Sequence, residues 1–143
     1  MTNLPCSNIH FQVEWGGSRL GFSEISDFSL EVETIEYREG GNPDYNVMKM
    51  PGMSKFSNII LKRGIVAGDN EFYEWLNTIQ LNQVERRDIR ISLLNENHEP
   101  VINWKVINAF PVKLTAPSLK GIGSDVAIET LEIAHEGLVI EAV

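Results

Sequence analysis

The chain has 143 residues, 43% hydrophobic and 22% charged, with 12 Lys and Arg against 20 Asp and Glu and a formal net charge of −8. That apolar content can offset the chain entropy of one ordinary domain, taken as residues 1–143, and it excludes intrinsic disorder. The acidic balance argues against a general polyphosphate binder, and a lone Cys6 excludes an intrachain disulfide or a thiolate zinc cluster.

The opening Met1-Thr2-Asn3-Leu4-Pro5-Cys6 has no basic or apolar leader segment, and no apolar run approaches the ~20 residues that span a bilayer. A cytoplasmic polypeptide without membrane insertion is therefore expected. From Ile9 to Trp15 the odd positions are apolar and the even ones polar, the pattern of a half-buried strand, and Gly16-Gly17-Ser18 follows as a turn. Phe28, Leu30 and Val32 alternate with Ser29, Glu31 and Glu33. After Thr34 the phase flips to Ile35 and Tyr37, which predicts a β-bulge or a strand passing between two environments.

Glu39 to Asn46 is dense in turn formers, and three of the four Met residues follow it in Val47 to Met53. Gly40 to Met53 reads as a long connection. Strand character returns over Lys55 to Lys62. Asp69 is placed as a helix N-cap, and Phe72, Trp75, Leu76 and Ile79 give one amphipathic helix ending near Asn82. Arg87 to Leu94 alternates, Asn95 to Glu99 reads as a hairpin connection, and Val101 to Ala109 alternates again. Pro111 marks a break before Val112 to Ala116. A second phase slip is expected within Asp125 to Ala134, and Leu138 to Val143 is a last short strand.

About seven or eight strands and one helix make a mainly β chain, a β-sandwich or barrel with one packed helix. Asn58 to Leu61, Val106-Ile107 and Leu138 to Ile140 are apolar on both faces, which suggests an outer face covered by the helix or another subunit.

A search for chemistry finds none. His10, His98 and His135 lack metal spacing, Ser18 is not in a GxSxG elbow, and Gly121-Ile122-Gly123 precedes a strand and lacks a third Gly. Arg86-Arg87 with Arg90, and Lys62-Arg63, are not interleaved with aromatics and read as intersubunit salt bridges or solubility. No catalytic residue, cofactor site or metal site is assigned.

The order of the blocks is more informative. Phe11-Gln12-Val13-Glu14-Trp15-Gly16-Gly17 and Gly21-Phe22-Ser23-Glu24-Ile25-Ser26 open a pattern that continues through Ile35 to Pro43 and Lys49-Met50-Pro51-Gly52-Met53. Leu61-Lys62-Arg63-Gly64, Phe72-Tyr73-Glu74-Trp75-Leu76, Trp104 to Pro111 and His135-Glu136-Gly137-Leu138 complete it. Over nearly the whole chain this resembles the tail tube proteins of contractile-tailed phages and the inner tube proteins of phage-tail-like contractile injection systems. Phe110 stands where Trp is more usual and Met53 where Leu is, both keeping a large apolar group.

The resemblance implies a rolled β-sandwich with one helix, shared with the type VI secretion tube protein. It also implies hexameric rings stacked into a tube inside a contractile sheath, with baseplate or spike and tube-terminator partners and an effector or DNA as cargo. The subunit would then end inside a phage tail or an injection particle. Gly40, Gly41, Asn42, Pro43, Met48, Met50, Pro51 and Met53 become candidates for inter-subunit or ring-stacking contacts, the Met side chains as adaptable apolar groups. Glu31, Glu33, Glu129 and Glu132 are candidates for the lumen because their strand faces read as polar, with outward solvated faces as the alternative. A monomeric β-sandwich binding module is the competing function.

Overall fold

In the computed structural model, which describes residues 4–8, 10–17, 21–38, 40–41, 47–79, 83–123 and 125–142, the alternating segments become nine strands and one short helix. These are β1 (Phe11–Glu14), β2 (Glu24–Ser26), β3 (Leu30–Tyr37), β4 (Met48–Phe56), β5 (Ile59–Gly64), α1 (Glu71–Leu76), β6 (Arg87–Leu94), β7 (Pro100–Thr115), β8 (Ile128–Ala134) and β9 (Gly137–Ala142). The main sheet runs β1-β6-β7-β8-β5-β2 with β9 also on β7, and β3 and β4 form a separate two-stranded sheet.

The sixteen-residue β7 makes the roll. Its first half lies between β6 and β9, and its second half pairs with β8. The handover falls at a bulge, where Ile107 and Asn108 together oppose Asp88. Asn108 sits at φ 52, in the left-handed region that Asn tolerates better than most residues. Its backbone N–H donates to Asp88 Oδ1 at 3.0 Å, and its side-chain Nδ2 donates to Glu136 Oε2 at 2.7 Å. A bulge bends its strand and raises the local twist, which turns one long strand from the first layer into the second.

Pro111, expected to break the strand, lies inside it. Proline is tolerated there because a second bulge at Val112 relieves the ladder at that point. The slip expected within Asp125 to Ala134 is also corrected: β8 pairs with β5 without a shift, β8 starts only at Ile128, and the irregularity lies opposite, in β7.

One core joins the layers. Val13, Ile89, Ile91 and Val106 from the first meet Ile59, Leu61, Leu131 and Ile133 from the second. Helix α1 adds Phe72 and Trp75, and the Trp75 indole N–H donates to the Glu85 carbonyl at 2.8 Å. The helix is shorter than its periodicity predicts, because Thr78 Oγ1 donates back to the Trp75 carbonyl and closes the last turn. Asn70 is the N-cap by position, while the Asp69 carboxylate takes the Glu71 N–H at 3.2 Å. Residues 80–82, where the predicted helix would end, lie outside the described residues.

Candidate functional site

Two findings stand out once the core is removed from view: a hairpin that is apolar but exposed, and an arginine that is charged but buried.

The hairpin is β3 with β4. Leu30 pairs with Phe56, Glu31 with Lys55 and Val32 with Ser54; after a shift, Thr34 pairs with Pro51, Ile35 with Met50, Glu36 with Lys49 and Tyr37 with Met48. The bulge predicted from the β3 phase is present, but the extra residue is in β4, where Gly52 and Met53 together oppose Glu33. Glycine fits there for a steric reason: a Cβ on Gly52 would lie 3.0 Å from the Glu33 carbonyl oxygen and 3.1 Å from Ile35 Cδ1. Met48 to Met53, read from sequence as connection, is thus strand. Its Pro and Gly disguise it, and both sit at the bulge.

Neither strand pairs with any other strand among the described residues. Leu30, Val32, Ile35, Tyr37, Met48, Met50 and Met53 are all exposed, Met53 to 76%. The base is fastened to the body. Ser57 Oγ donates to the Asp27 carbonyl and lies 2.8 Å from Ser29 Oγ, while His135 Nε2 lies 2.9 Å from the Ser57 carbonyl. The His135 ring packs against Phe56 with centroids 5.6 Å apart. Gly40 and Gly41 are exposed turn residues, and Asn42 and Pro43 lie outside the described residues.

The four acidic candidates separate. Glu31 and Glu33 are exposed on one side of β3, and Glu33 lies 3.9 Å from Lys55 Nζ. Glu132 accepts from Asn58 Nδ2 at 3.3 Å. Glu129 is corrected to an internal group. Residues three apart on a strand point to opposite faces, so Glu129 and Glu132 cannot share one, and Glu129 sits with Leu131 and Ile133 on the core side.

Its partner there is Arg63, directly opposite on β5. The Arg63 side chain is 0% exposed; its Nε donates to Glu129 Oε1 at 2.7 Å, Nη2 lies 3.4 Å from Asp69 Oδ1 and Nη1 lies 3.8 Å from Glu71 Oε2. The guanidinium carbon lies 3.8 Å from the Phe72 ring centroid and 5.1 Å from that of Trp15. The sequence reading of Lys62-Arg63 as an intersubunit salt bridge or a solubility feature is corrected for Arg63, which is buried within the subunit. The signal that could have placed it correctly is the alternation Ile59, Leu61, Arg63 on one strand face. Arg87 is likewise inward, against Trp15 at 5.3 Å and Trp75 at 4.7 Å, and Arg86 pairs with Glu136 at 3.1 Å over the Phe110 ring. Arg63 and Arg87 thus pack against the core aromatics, whereas Arg86 ties its exposed pair across the surface.

The histidines are structural. His10 and His98 meet edge to face at 4.8 Å, and His135 is in the hairpin fastening. No group of three or more His, Cys, Asp or Glu among the described residues could hold a metal ion. The geometry offers a surface for assembly.

The family model described as T4-like virus tail tube protein gp19 matches residues 7–139. A comparison with curated proteins finds no match. Among solved structures, a chain of the PVC sheath-tube complex of an extracellular contractile injection system, in the extended state, is 38% identical with TM-score 0.90, covering 99% of this chain and 94% of that one. A chain of the anti-feeding prophage cap, the AFP tube terminating cap, is 38% identical with TM-score 0.92, covering 100% and 95%. Hcp1 from Flavobacterium johnsoniae, at 17% identity and TM-score 0.64 over 93% and 95%, shares the fold. With a family model spanning nearly its full length and relatives of this similarity, the chain belongs to the T4-like virus tail tube protein family.

Proposed function

We propose that this tail tube protein forms hexameric rings that stack into the hollow inner tube of a contractile injection particle. In that setting a sheath surrounds the tube, a terminator and a baseplate or spike close its ends, and an effector protein or DNA occupies the lumen. The role is structural, not enzymatic, as in the tube proteins it resembles. Subunits assemble in the cytoplasm before the particle forms; no helix among the described residues is long and apolar enough to cross a membrane.

The observation that carries this reading is the exposed apolar β3–β4 hairpin, whose outer edges pair with no other strand among the described residues. Such an edge left open invites uncontrolled pairing, and copies joined head to tail close it when the rotation between them closes a ring. Met48, Met50, Pro51 and Met53 lie on the hairpin, and Gly40 and Gly41 on its connection, as contact residues between copies. Glu31, Glu33 and Glu132 supply the acidic lumen wall, which repels acidic cargo and eases its passage.

Size-exclusion chromatography with negative-stain imaging of the purified protein tests this. Rings or tubes are expected; compact monomers at high concentration would instead support a binding module.

A further inference from the structure

The three histidines differ in what their ring nitrogens meet. Both nitrogens of His135 face backbone carbonyls, at 2.9 and 3.1 Å, whereas among the described residues no hydrogen bond engages a ring nitrogen of His10 or His98. A neutral imidazole keeps one nitrogen lone pair, so each of these two rings has a ligand to offer. The fold brings them together from distant parts of the chain. The His10 carbonyl, just before β1, accepts from Leu94 N–H at 2.8 Å, at the end of β6. The turn that follows is built on Asn95. Its Oδ1 accepts from Asn97 N–H at 2.9 Å and Glu99 N–H at 3.0 Å, and its carbonyl accepts from His98 N–H at 2.9 Å. That wrapping holds His98 at φ 60, in the left-handed region where His is enriched. It delivers the His98 ring to a centroid distance of 4.8 Å from His10, at an interplanar angle of 79°.

We propose that His10 and His98 form a two-imidazole site for a divalent transition ion of the Zn2+ class, with solvent supplying the remaining ligands. The ring separation has the right size. A Zn–N bond of about 2.0–2.1 Å, with the ring centre about 1.1 Å behind the nitrogen, puts each centre roughly 3.2 Å from the ion. Two such rings stand about 4.5 Å apart when they subtend a right angle at the ion and about 5.2 Å apart at the tetrahedral angle. The observed 4.8 Å lies between. His98 is exposed and His10 half-buried, so side-chain rotation turns a nitrogen of each toward a common point without moving the pinned backbones. Glu96 and Glu99 flank His98 in the turn, and the chain carries a net charge of −8, so a cation meets a favourable field. Imidazole favours Zn2+, Ni2+ and Cu2+ over the hard ions Mg2+ and Ca2+. No third protein ligand stands near among the described residues, so the site is open to solvent, and the ion ties the start of β1 to the β6–β7 turn. Nothing in it depends on the tube reading.

Isothermal titration of Zn2+ into the untagged protein, with Mg2+ as the control cation, tests the site. Wild type should bind one Zn2+ per chain and no Mg2+, and should melt at a higher temperature in Zn2+ than in EDTA. His10→Gln and His98→Asn should each weaken Zn2+ binding at least ~10-fold and abolish the thermal shift, because a single imidazole remains. Asn tolerates the left-handed backbone of the turn. Circular dichroism in EDTA verifies folding, and His10→Asn or His98→Gly serves if either variant misfolds. Cys6→Ser, which removes the exposed thiol as a rival ligand, should bind Zn2+ as wild type does. Absence of Zn2+ binding by wild type, undiminished binding by either histidine variant, or loss of binding in Cys6→Ser overturns the proposal.

Discussion

Arg63 is the group whose loss the subunit should feel most. Its guanidinium has no solvent contact, donates to Glu129 at 2.7 Å and has its central carbon 3.8 Å from the Phe72 ring centroid. Arg63→Met keeps most of the aliphatic stem but leaves Glu129 facing the core without its cation. Removing one partner of a buried pair costs about 3–5 kcal/mol. The lost ring contacts add about 1–2 kcal/mol, and sulfur–aromatic contacts from Met return ~1 kcal/mol. The expected loss is thus about 3–6 kcal/mol, or about 12–24 °C in Tm at ~4 °C per kcal/mol for a domain of this size. Glu129→Gln keeps an acceptor carbonyl opposite Arg63 Nε and should cost only about 1–2 kcal/mol. Urea unfolding followed by tryptophan fluorescence reads both, since Trp15 and Trp75 adjoin the cluster. A double-mutant cycle with Glu129→Leu should show coupling of at least ~2 kcal/mol. Arg63→Met within ~1 kcal/mol of wild type, or an additive cycle, would refute the reasoning.

The other perturbations separate the body from the hairpin. Gly52→Val puts a Cβ against the Glu33 carbonyl, so tubes should be lost in electron micrographs while the urea stability of the body moves by less than ~1 kcal/mol. Asn108→Ala places a Cβ-only residue at φ 52 and removes the bond to Glu136; thermal unfolding should register about 1–2 kcal/mol, and Asn108→Gly less than Asn108→Ala. Glu31→Lys with Glu33→Lys should leave tubes intact but retain acidic cargo more strongly in a loaded-particle assay; unchanged retention would remove these residues from the lumen wall.

Much of this was legible from alternation alone. Val13 and Trp15, Ile89 and Ile91, and Leu131 and Ile133 are buried where their spacing puts them, and Phe72 with Trp75 packs one helix face. The flip after Thr34 located the hairpin bulge to within a residue, although the inserted residue belongs to the partner strand. What sequence could not show depends on pairing across long separations. Arg63 and Glu129 are 66 residues apart, so Lys62-Arg63 reads in sequence as an intersubunit salt bridge or a solubility feature, and only the register of β5 on β8 reveals the internal pair. Met48 to Met53 looked like loop because Pro51 and Gly52 suppress strand propensity, yet both are accommodated where the ladder is interrupted. The outer sides of β3 and β4 make the remaining point. Their apolar residues are legible as burial waiting for a partner, but no strand among the described residues of the subunit supplies that partner.

Hydrogen exchange of the backbone amides in β3 and β4, compared between assembled particles and dispersed subunits, tests the central claim most directly. Self-association that covers the hairpin predicts strongly slowed exchange across residues 30–37 and 48–56 in the assembled state, with little change in the core strands β5 and β8. Equal exchange in the two states would contradict the claim that copies of this chain complete each other's burial.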